Sequence, residues 1–402
     1  MILPELPLVI NKKLFYFISL ITILLIIGCN DSPTDLGVDF VSQDGVEVFK
    51  LNSSIDSIPQ QSHDFKKVIS LGSADHLLLG KAENVNAKTM LRFVLLIPDS
   101  IKTEIQNETL QVLDSYVELR KDYSFGDSIA AFDYRVFKIN SNWISSTFTA
   151  DSFSTLLYDN VDLSSNRTSP NDTLYSFHLD NTLTYSWLQN YVDSTIGSNY
   201  GILLDPTENS QKVLGFTAFN VSGIDDPRLR IIIQKPGAYI DTLIGYISSD
   251  ISVVFGEVQN TVSENLYIQS SLTSEVKLFF DLSILPENCV INSAKLTLTV
   301  DTVETKTGSN FSNSLRVFLL SDSAKNEINT SFLYGLNRSG TTFSGDITNI
   351  IRAWKNNVDN QGMLIRATSE LRGVDIFSVI GSNAADTTKR PQLEIVYSRK
   401  KY

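Results

Sequence analysis

The chain contains one set of short β-type segments written twice, in the same order. The segment "MLRFVLLIP" (Met90–Pro98) corresponds to "KLFFDLSILP" (Lys277–Pro286), and "DPRLRIII" (Asp226–Ile233) corresponds to "RPQLEIVY" (Arg390–Tyr397). Between these lie further matched pairs: "LDSYVELR" with "INSAKLTL", "RVFKI" with "RVFLL", "SWLQNY" with "AWKNNV", and "NYGILL" with "NQGMLI". Self-similarity on this scale indicates one structural module present in two copies. A chain of 402 residues has room for both.

Most of the matched segments alternate apolar and polar residues. "KLTLTV" (Lys295–Val300) places leucine and valine on one face and lysine and threonine on the other, and "RLRIIIQ" (Arg228–Gln234) has the same period. A period of two, interrupted by Asn, Asp, Gly and Ser turns, is typical of antiparallel strands with one buried face. The sequence therefore predicts an all-β fold made of two tandem antiparallel β-sandwiches.

One segment in each copy has the period of a helix. In "DITNIIRAWKNN" the apolar residues recur at i, i+3, i+4 and i+7, and Asp346 precedes them as a helix cap. The counterpart in the first copy runs from Asn181 to Tyr191. We predict one short helix in each sandwich, with its tryptophan, Trp187 or Trp354, packed into the core.

The N-terminus has the pattern of a processing signal. The apolar run Leu14–Ile27 follows two lysines and is shorter than the ~20 residues that a membrane span needs. The residues that follow, Ile-Ile-Gly-Cys, resemble the lipobox of bacterial lipoproteins. That resemblance implies cleavage between Gly28 and Cys29 and attachment of diacylglycerol to the Cys29 thiol. An ordinary secretory signal and an uncleaved anchor helix are the alternatives.

These patterns predict four regions along the chain. They are a lipoprotein signal peptide at 1–28, a flexible polar tether at 29–45, a first β-sandwich at 46–236 and a second at 237–402. The junction is placed at "QKPGAYI" (Gln234–Ile240), because Pro-Gly interrupts both helices and strands. The expected location is the bacterial outer membrane, lipid-anchored, and the choice between the cell surface and the periplasmic face stays open.

Charge and composition argue against several partners. The formal net charge is −12 and no block of Lys or Arg occurs, so we expect no nucleic-acid partner. The three histidines have no metal-ligand spacing, so no His or Cys metal centre is expected. A structural calcium ion in the Asp-rich loops stays open, although no "DxDxDG" loop is present. Cys289 is expected to be a buried free thiol.

No motif singles out a catalytic group. His76 has no adjacent nucleophile and is expected at a turn or a strand edge, and no pair of carboxylates stands out from the rest. We therefore predict no catalytic residues and no enzyme. Sugar sites use exposed aromatic side chains, and the candidates in long loops are Tyr123, Phe125, Phe148, Tyr158, Tyr334 and Phe343. The alternative is that many of these rings belong to the core.

The second copy resembles the bacterial DNRLRE-domain family. The resemblance is carried by "LFFDLSILPENCVINSAKLTLTV", "AWKNNVDNQGMLIRA", "IFSV" and "KRPQLEIVY". The first copy is looser and has a longer stretch from Pro98 to Ser115. The family implies a jelly-roll sandwich on extracellular proteins, and related carbohydrate-binding modules take acidic polysaccharides such as alginate. The segments "CNDSPTDLG" and "LGSADHLLLGKA" also resemble a family of Gram-negative surface lipoproteins.

A recurrent Asp-Ser/Thr pattern is similar to an O-glycosylation sequon of one group of Gram-negative bacteria. It begins at residues 56, 99, 127, 172, 241, 301 and 322. The alternative is that Asp-Ser/Thr is simply common where loops enter strands.

Taken together, these patterns predict a membrane-anchored, non-catalytic surface lipoprotein. We expect it to bind polysaccharide or to act in adhesion. The alternative is a structural or assembly lipoprotein that binds a protein partner in the cell envelope.

Overall fold

A computed structural model describes residues 45–67, 69, 71–72, 74–169, 173–219, 225–258 and 261–400. The predicted signal peptide, the Gly28-Cys29 cleavage and lipidation site and all of the tether except Gly45 lie outside these residues. Among the described residues, no helix is both long enough and apolar enough to cross a membrane. The fold is all-β and consists of two curled antiparallel sheets, as expected for β-sandwiches.

The first sheet contains the segments of the first copy. Its main path runs β10-β3-β4-β12-β11-β5-β8-β7, and β9 joins β6 to β4. The strands are β3 His76–Ala82, β4 Val85–Leu95, β5 Gln111–Phe125, β6 Tyr134–Lys138, β7 Ser164–Thr168, β8 Leu174–Leu179, β9 Ile202–Pro206, β10 Val213–Thr217, β11 Arg228–Lys235 and β12 Tyr239–Phe255.

The second sheet contains the segments of the second copy and two strands from the start of the chain. Its path runs β1-β21-β15-β18-β17-β16-β19-β14-β13-β20, and β2 pairs with β14. The strands are β1 Val46–Asn52, β2 Gln60–Lys66, β13 Asn265–Gln269, β14 Ser274–Phe280, β15 Cys289–Thr299, β16 Ser314–Asp322, β17 Glu327–Ser339, β18 Thr342–Asp346, β19 Met363–Ala367, β20 Ile376–Ile380 and β21 Gln392–Lys400.

The strands β1 and β2 precede the first copy in sequence but belong to the sheet of the second. β2 pairs with β14 along its whole length, from Gln60 opposite Phe280 to Lys66 opposite Ser274. The backbone N–H of Ser53, just after β1, donates to the carbonyl oxygen of Leu393 at 3.0 Å. The predicted boundaries of the two sandwiches, 46–236 and 237–402, assign β1 and β2 to the first sandwich. Those boundaries stay a prediction.

The segment predicted as the junction is a β-hairpin turn. β11 and β12 pair from Lys235 opposite Tyr239, and the N–H of Ala238 donates to the carbonyl of Lys235 at 3.0 Å. Pro-Gly turns the chain here without ending the sheet, because Gly237 supplies a φ of +75°. β12 then continues in the first sheet, paired with β4.

The described residues form three α-helices, two of them in the first copy. They are α1 Asp99–Gln106, α2 Asn181–Val192 and α3 Thr348–Lys355; single 3-10 turns occupy Ser145–Thr147, Asp151–Thr155 and Thr387–Lys389. One helix per copy was expected, and α1 is the additional one. It occupies the longer Pro98–Ser115 stretch and buries only Ile101 and Ile105. Two apolar residues in eight gave the sequence no helical signal.

The two tryptophans differ in burial. Trp187 of α2 is buried in the first core, as predicted, and Asp180 caps this helix by accepting from the N–H of Leu183 at 3.0 Å. Trp354 is only half-buried, so the prediction that it packs into the core is wrong. The physical reason is its position in the last turn of α3, where the helix ends at Lys355. Asp346, the predicted cap, ends β18, and Ile347 occupies the N-cap position of α3 without a side-chain hydrogen bond; Asp346 accepts from the N–H of Thr348 at 2.7 Å from one residue further back.

The chain divides into two compact units. The larger comprises Lys50–Glu287 and Ile291–Val396 and holds both grooves discussed below. The described part of the smaller consists of residues 45–49, 288–290 and 397–400. Within it, Phe49 stacks on Tyr397 with 5.4 Å between ring centroids. Cys289 is a free thiol and is half-exposed, not buried as expected, because it lies at the first position of β15.

An apolar cluster joins the first sheet to residues of the second copy. From the first copy it takes residues of β3, β4, β5, β10 and β12, including Leu78 and Tyr123. From the second it takes Tyr267, Val374 and Ile376, among others. The two copies therefore share a piece of core within the larger unit.

Candidate functional site

Four of the six aromatic residues predicted to contact a ligand are core residues. Tyr123, Phe125, Phe148 and Phe343 are 1%, 3%, 6% and 0% exposed. A ring buried to this degree has no free face on which a sugar could stack, so these four predictions are corrected. Tyr123 and Phe125 point inward from β5, Phe343 lies within β18, and the loop that carries Phe148 folds back onto Trp143 with 6.5 Å between ring centroids.

Tyr158 has the exposed ring that the prediction requires. It is 36% exposed and lies in the loop after the second 3-10 turn, where it forms an isolated bridge with Ile139. Its ring centroid lies 5.9 Å from that of Phe137 and 6.0 Å from that of Phe153. These contacts hold the ring in place while one side stays in solvent. Its hydroxyl has no hydrogen-bond partner among the described residues.

A groove runs beside Phe137 along the end of strands β6 and β9. We call it the β6–β9 groove; its volume is about 320 Å³ and its lining residues are Arg135, Phe137, Asp205, Pro206, Thr207, Glu208 and Asn209. The pairing of β6 with β9 places Arg135 directly opposite Asp205. Phe137 lines the groove and its ring contacts that of Tyr158; Tyr158 lies next to the groove and is not one of its lining residues.

Some polar groups of the β6–β9 groove are already engaged. Asp205 binds Lys88 at 2.7 Å, and the Thr207 hydroxyl donates to Asp133 Oδ2 at 2.7 Å. Glu208 contacts Lys81, and this hydrogen bond holds the pKa of the Glu208 carboxyl below its usual range. Glu208 is therefore ionised at neutral pH and retains acceptor capacity.

Other polar groups of the groove are free. Neither the guanidinium of Arg135 nor the side-chain amide of Asn209 has a hydrogen-bond or ion-pair partner within the described part of the chain. An aromatic ring flanked by free donors and an ionised acceptor can stack on the apolar face of a sugar and bind its hydroxyl groups.

Tyr334 lies on a different sheet. It is half-buried on β17, opposite Val317 of β16. The structure does not bring it together with Tyr158, and it stays a separate candidate.

His76 is buried, against the expectation of a turn or strand-edge residue. It is 2% exposed at the first position of β3. Its Nε2 lies 2.8 Å from Asp122 Oδ2, and its Nδ1 contacts the backbone carbonyl of Arg372 in the second copy. A carbonyl and a carboxylate are both acceptors, so each ring nitrogen of His76 faces a hydrogen-bond acceptor.

Next to His76, Tyr123 forms a second polar link between the copies. The Tyr123 oxygen accepts from the N–H of Val374 at 3.0 Å, and its O–H donates to Asp375 Oδ1 at 3.3 Å. Burial raises the pKa of both the Tyr123 hydroxyl and the Asp375 carboxyl. The sequence singled out Tyr123 as a sugar-site candidate but gave no sign that it links the copies, because Tyr123 and Asp375 are 252 residues apart.

No group of three or more His, Cys, Asp or Glu side chains placed to hold a metal occurs among the residues that the structure describes. A structural calcium ion therefore stays a prediction.

Comparison with known proteins places the chain in no family. Neither a scan against protein-family models nor a search of curated proteins finds a match. Among solved structures, the C-terminal domain of the Streptococcus agalactiae AgI/II polypeptide BspA aligns with 85% of this chain and 92% of that chain, at 9% identity and a TM-score of 0.19. A likeness at that TM-score supports no argument about function. The resemblance to the DNRLRE-domain family gains no support from these comparisons.

Proposed function

We propose that this protein is a membrane-anchored, non-catalytic lipoprotein of the bacterial outer membrane that binds polysaccharide. The observation that carries the binding role is the exposed Tyr158 ring beside the β6–β9 groove. The anchor rests on the lipobox-like residues that end at Cys29. The DNRLRE-like segments of the second copy are consistent with a glycan-binding role on a surface protein.

The groove suits a sugar chain for chemical reasons. Sugar rings have apolar C–H faces that pack on aromatic rings, and Tyr158 offers such a ring next to Phe137. Sugar hydroxyls need both donors and acceptors, and the groove supplies free donors at Arg135 and Asn209 and an ionised acceptor at Glu208. The groove is open, so a polymer can pass along it.

A glycan array probed with the chain from residue 45 onward tests the binding role. We expect retention of at least one polysaccharide class, and a loss of affinity of about tenfold or more in Tyr158→Ala, because stacked aromatic anchors dominate such contacts. Asn209→Ala should weaken binding less, because it removes one hydrogen bond. Tyr246→Ala, at another exposed tyrosine of the first sheet, is the matched control and should bind as the parent does.

Two results would contradict the binding role. If no glycan is retained, or if Tyr158→Ala binds as well as the parent, the groove does not bind polysaccharide. Recovery of one defined envelope protein by pull-down, together with an empty array, would favour the structural or assembly role.

The anchor is tested separately from the binding site. Metabolic labelling with a fatty acid should mark the parent and Cys289→Ser but not Cys29→Ser, and Cys29→Ser should leave the membrane fraction. Protease treatment of intact cells should cleave the anchored protein if it is displayed on the surface. Complete protection would place it on the periplasmic face instead.

A further inference from the structure

Among the described residues, three arginine side chains have no partner. The other arginines each make an ion pair, a hydrogen bond or another contact with the protein. The exceptions are Arg135, Arg316 and Arg372. All three line grooves: Arg135 the β6–β9 groove, and Arg316 and Arg372 a second groove. In a chain of net charge −12, unpaired guanidinium groups confined to grooves require an explanation.

The second groove lies where the two copies meet. We call it the Arg316–Arg372 groove; its volume is about 400 Å³ and its lining residues are Ile69, Asp75, Arg316, Thr368, Ser369, Glu370, Leu371 and Arg372. Ile69 and Asp75 come before β3 of the first sheet, whereas Arg316 lies on β16 and the remaining lining residues follow β19. Arg316 is half-buried and Arg372 is exposed.

The sheet register adds a second cation beside Arg316. Arg316 on β16 lies directly opposite Arg366 on β19. Like charges in this position destabilise a strand pair unless each has a counter-ion. Arg366 has one, because its Nη1 lies 3.0 Å from Glu370 Oε2. Arg316 has none within the described part of the chain, so the protein leaves its charge uncompensated.

None of the carboxylates around the groove acts as a counter-ion for Arg316 or Arg372. Glu370 is taken by Arg366, and Glu275 lies between Lys67 and Arg366. Asp75 is the remaining acid of the lining, and neither arginine forms an ion pair with it. If Arg366 and Glu370 are counted as a neutral pair, the groove retains two unpaired guanidinium groups, those of Arg316 and Arg372, and one carboxylate, that of Asp75.

The position of Arg372 is fixed from the other copy. Its backbone carbonyl accepts from His76, and His76 is held in turn by Asp122 at 2.8 Å. The link to the first sheet thus holds the backbone from which the Arg372 side chain extends. Two unpaired guanidinium groups that line one groove match an oxyanion, to which arginine donates paired hydrogen bonds.

We propose that the Arg316–Arg372 groove binds an oxyanion group of a ligand, such as a carboxylate, sulfate or phosphate, between its two unpaired arginines. This site does not include Tyr158, and its proposal does not depend on the glycan role of the β6–β9 groove. Arg316 and Arg372 are the contact residues, and His76 is a positioning residue.

Titration calorimetry on the chain from residue 45 onward, with four small probes, tests the proposal. The probes are a galacturonate trimer, a sulfated disaccharide, inorganic phosphate and neutral maltotriose. We expect at least one anionic probe to bind and maltotriose not to bind at this groove. Affinity should fall about tenfold in Arg316→Gln and in Arg372→Gln, and with rising salt. The anion that binds best identifies the ligand class.

A control variant separates a site from a general charge effect. Lys295→Gln removes one exposed positive charge from β15, away from both grooves, and should leave anion binding here unchanged. Unchanged melting temperatures in the two groove variants would show that folding is intact. The proposal is overturned if no anionic probe binds, or if Lys295→Gln weakens binding as much as the groove variants do.

Discussion

Glu275 is the residue whose environment most departs from that of an ordinary carboxylate. It is 1% exposed on β14, with its Oε1 3.5 Å from Lys67 Nζ and 3.8 Å from Arg366 Nη1. Burial, followed by contact with the Glu370 carboxyl, raises the pKa of Glu275 to about 7. The nearby cations offset only part of the cost of removing this charge from water.

The raised pKa of Glu275 predicts a stability that falls with pH. In the unfolded chain this carboxyl titrates near 4.5, so between about 4.5 and 7 the native state binds more protons. The free energy of unfolding should therefore decrease as pH rises through this window and level off above it. Glu275→Gln should be more stable than the parent at pH 8, by about 1–3 kcal/mol.

Urea unfolding at pH 5, 6, 7 and 8 measures this effect. Glu257→Gln, at an exposed glutamate, is the control and should keep the pH dependence of the parent. An unchanged slope in Glu275→Gln would assign the pH dependence to other groups.

At the scale of elements, strand β5 and the segment before β20 meet through one tyrosine hydroxyl. Tyr123→Phe removes a buried group that accepts from Val374 and donates to Asp375. We expect a loss of about 1–3 kcal/mol in the free energy of unfolding, because a buried N–H and a buried carboxylate each lose a partner. Denaturant unfolding at fixed pH measures it.

Tyr134→Phe is the matched control for Tyr123→Phe. Tyr134 is also a buried tyrosine of the first sheet, but its hydroxyl has no hydrogen-bond partner among the described residues. Its substitution should change stability by less than about 0.5 kcal/mol. Equal effects of the two substitutions would mean that the Tyr123 hydroxyl contributes nothing specific.

A glycine in the loop between β15 and β16 allows that loop to approach β5. A Cβ at Gly308 would lie 2.5 Å from Tyr123 Cζ and 2.5 Å from the carbonyl oxygen of Ser124. Gly308→Ala should therefore destabilise by about 1–3 kcal/mol through overpacking. At Gly335 on β17 nothing lies within 4 Å of such a Cβ, so Gly335→Ala should be neutral or slightly stabilising. Melting temperatures of the two variants give the comparison, and a stable Gly308→Ala would contradict the close approach.

At the scale of the whole molecule, the start of the described chain completes the sheet of the second copy. β2 pairs with β14 along its length, and the N–H of Ser53, just after β1, donates to the carbonyl oxygen of Leu393 in β21. A chain that begins at residue 67 lacks β1 and β2, so β14 and β21 would each lose a neighbouring strand. We expect it to melt several degrees lower than a chain that begins at residue 45, and to show faster amide exchange in β14.

A chain that begins at residue 45 is itself the control, since it keeps every described strand. Equal melting temperatures and equal protection of β14 in the two chains would show that β1 and β2 are dispensable. The same comparison measures how far the second copy can fold without residues that precede the first.

Part of the candidate site could be read from the sequence. Tyr158 was identified as an aromatic residue in a long loop, and it has an exposed ring. Phe148 was identified on the same ground and is buried, because loop length does not show whether a loop folds back onto its sheet. Arg135 and Asn209 gave no signal, since a free guanidinium or amide differs from a paired one only in what surrounds it.

The alternation of side chains determined the class of fold and the faces of the strands. Leu229, Ile231 and Ile233 of β11 are fully buried while their neighbours are not, because successive side chains of a strand point to opposite faces wherever the strand lies. The register of β2 on β14, the contact of His76 with Arg372 and the groove of Arg316 and Arg372 were decided by the tertiary structure. His76 and Arg372 are 296 residues apart, and a contact at that separation depends on how completed sheets pack, which no local pattern encodes.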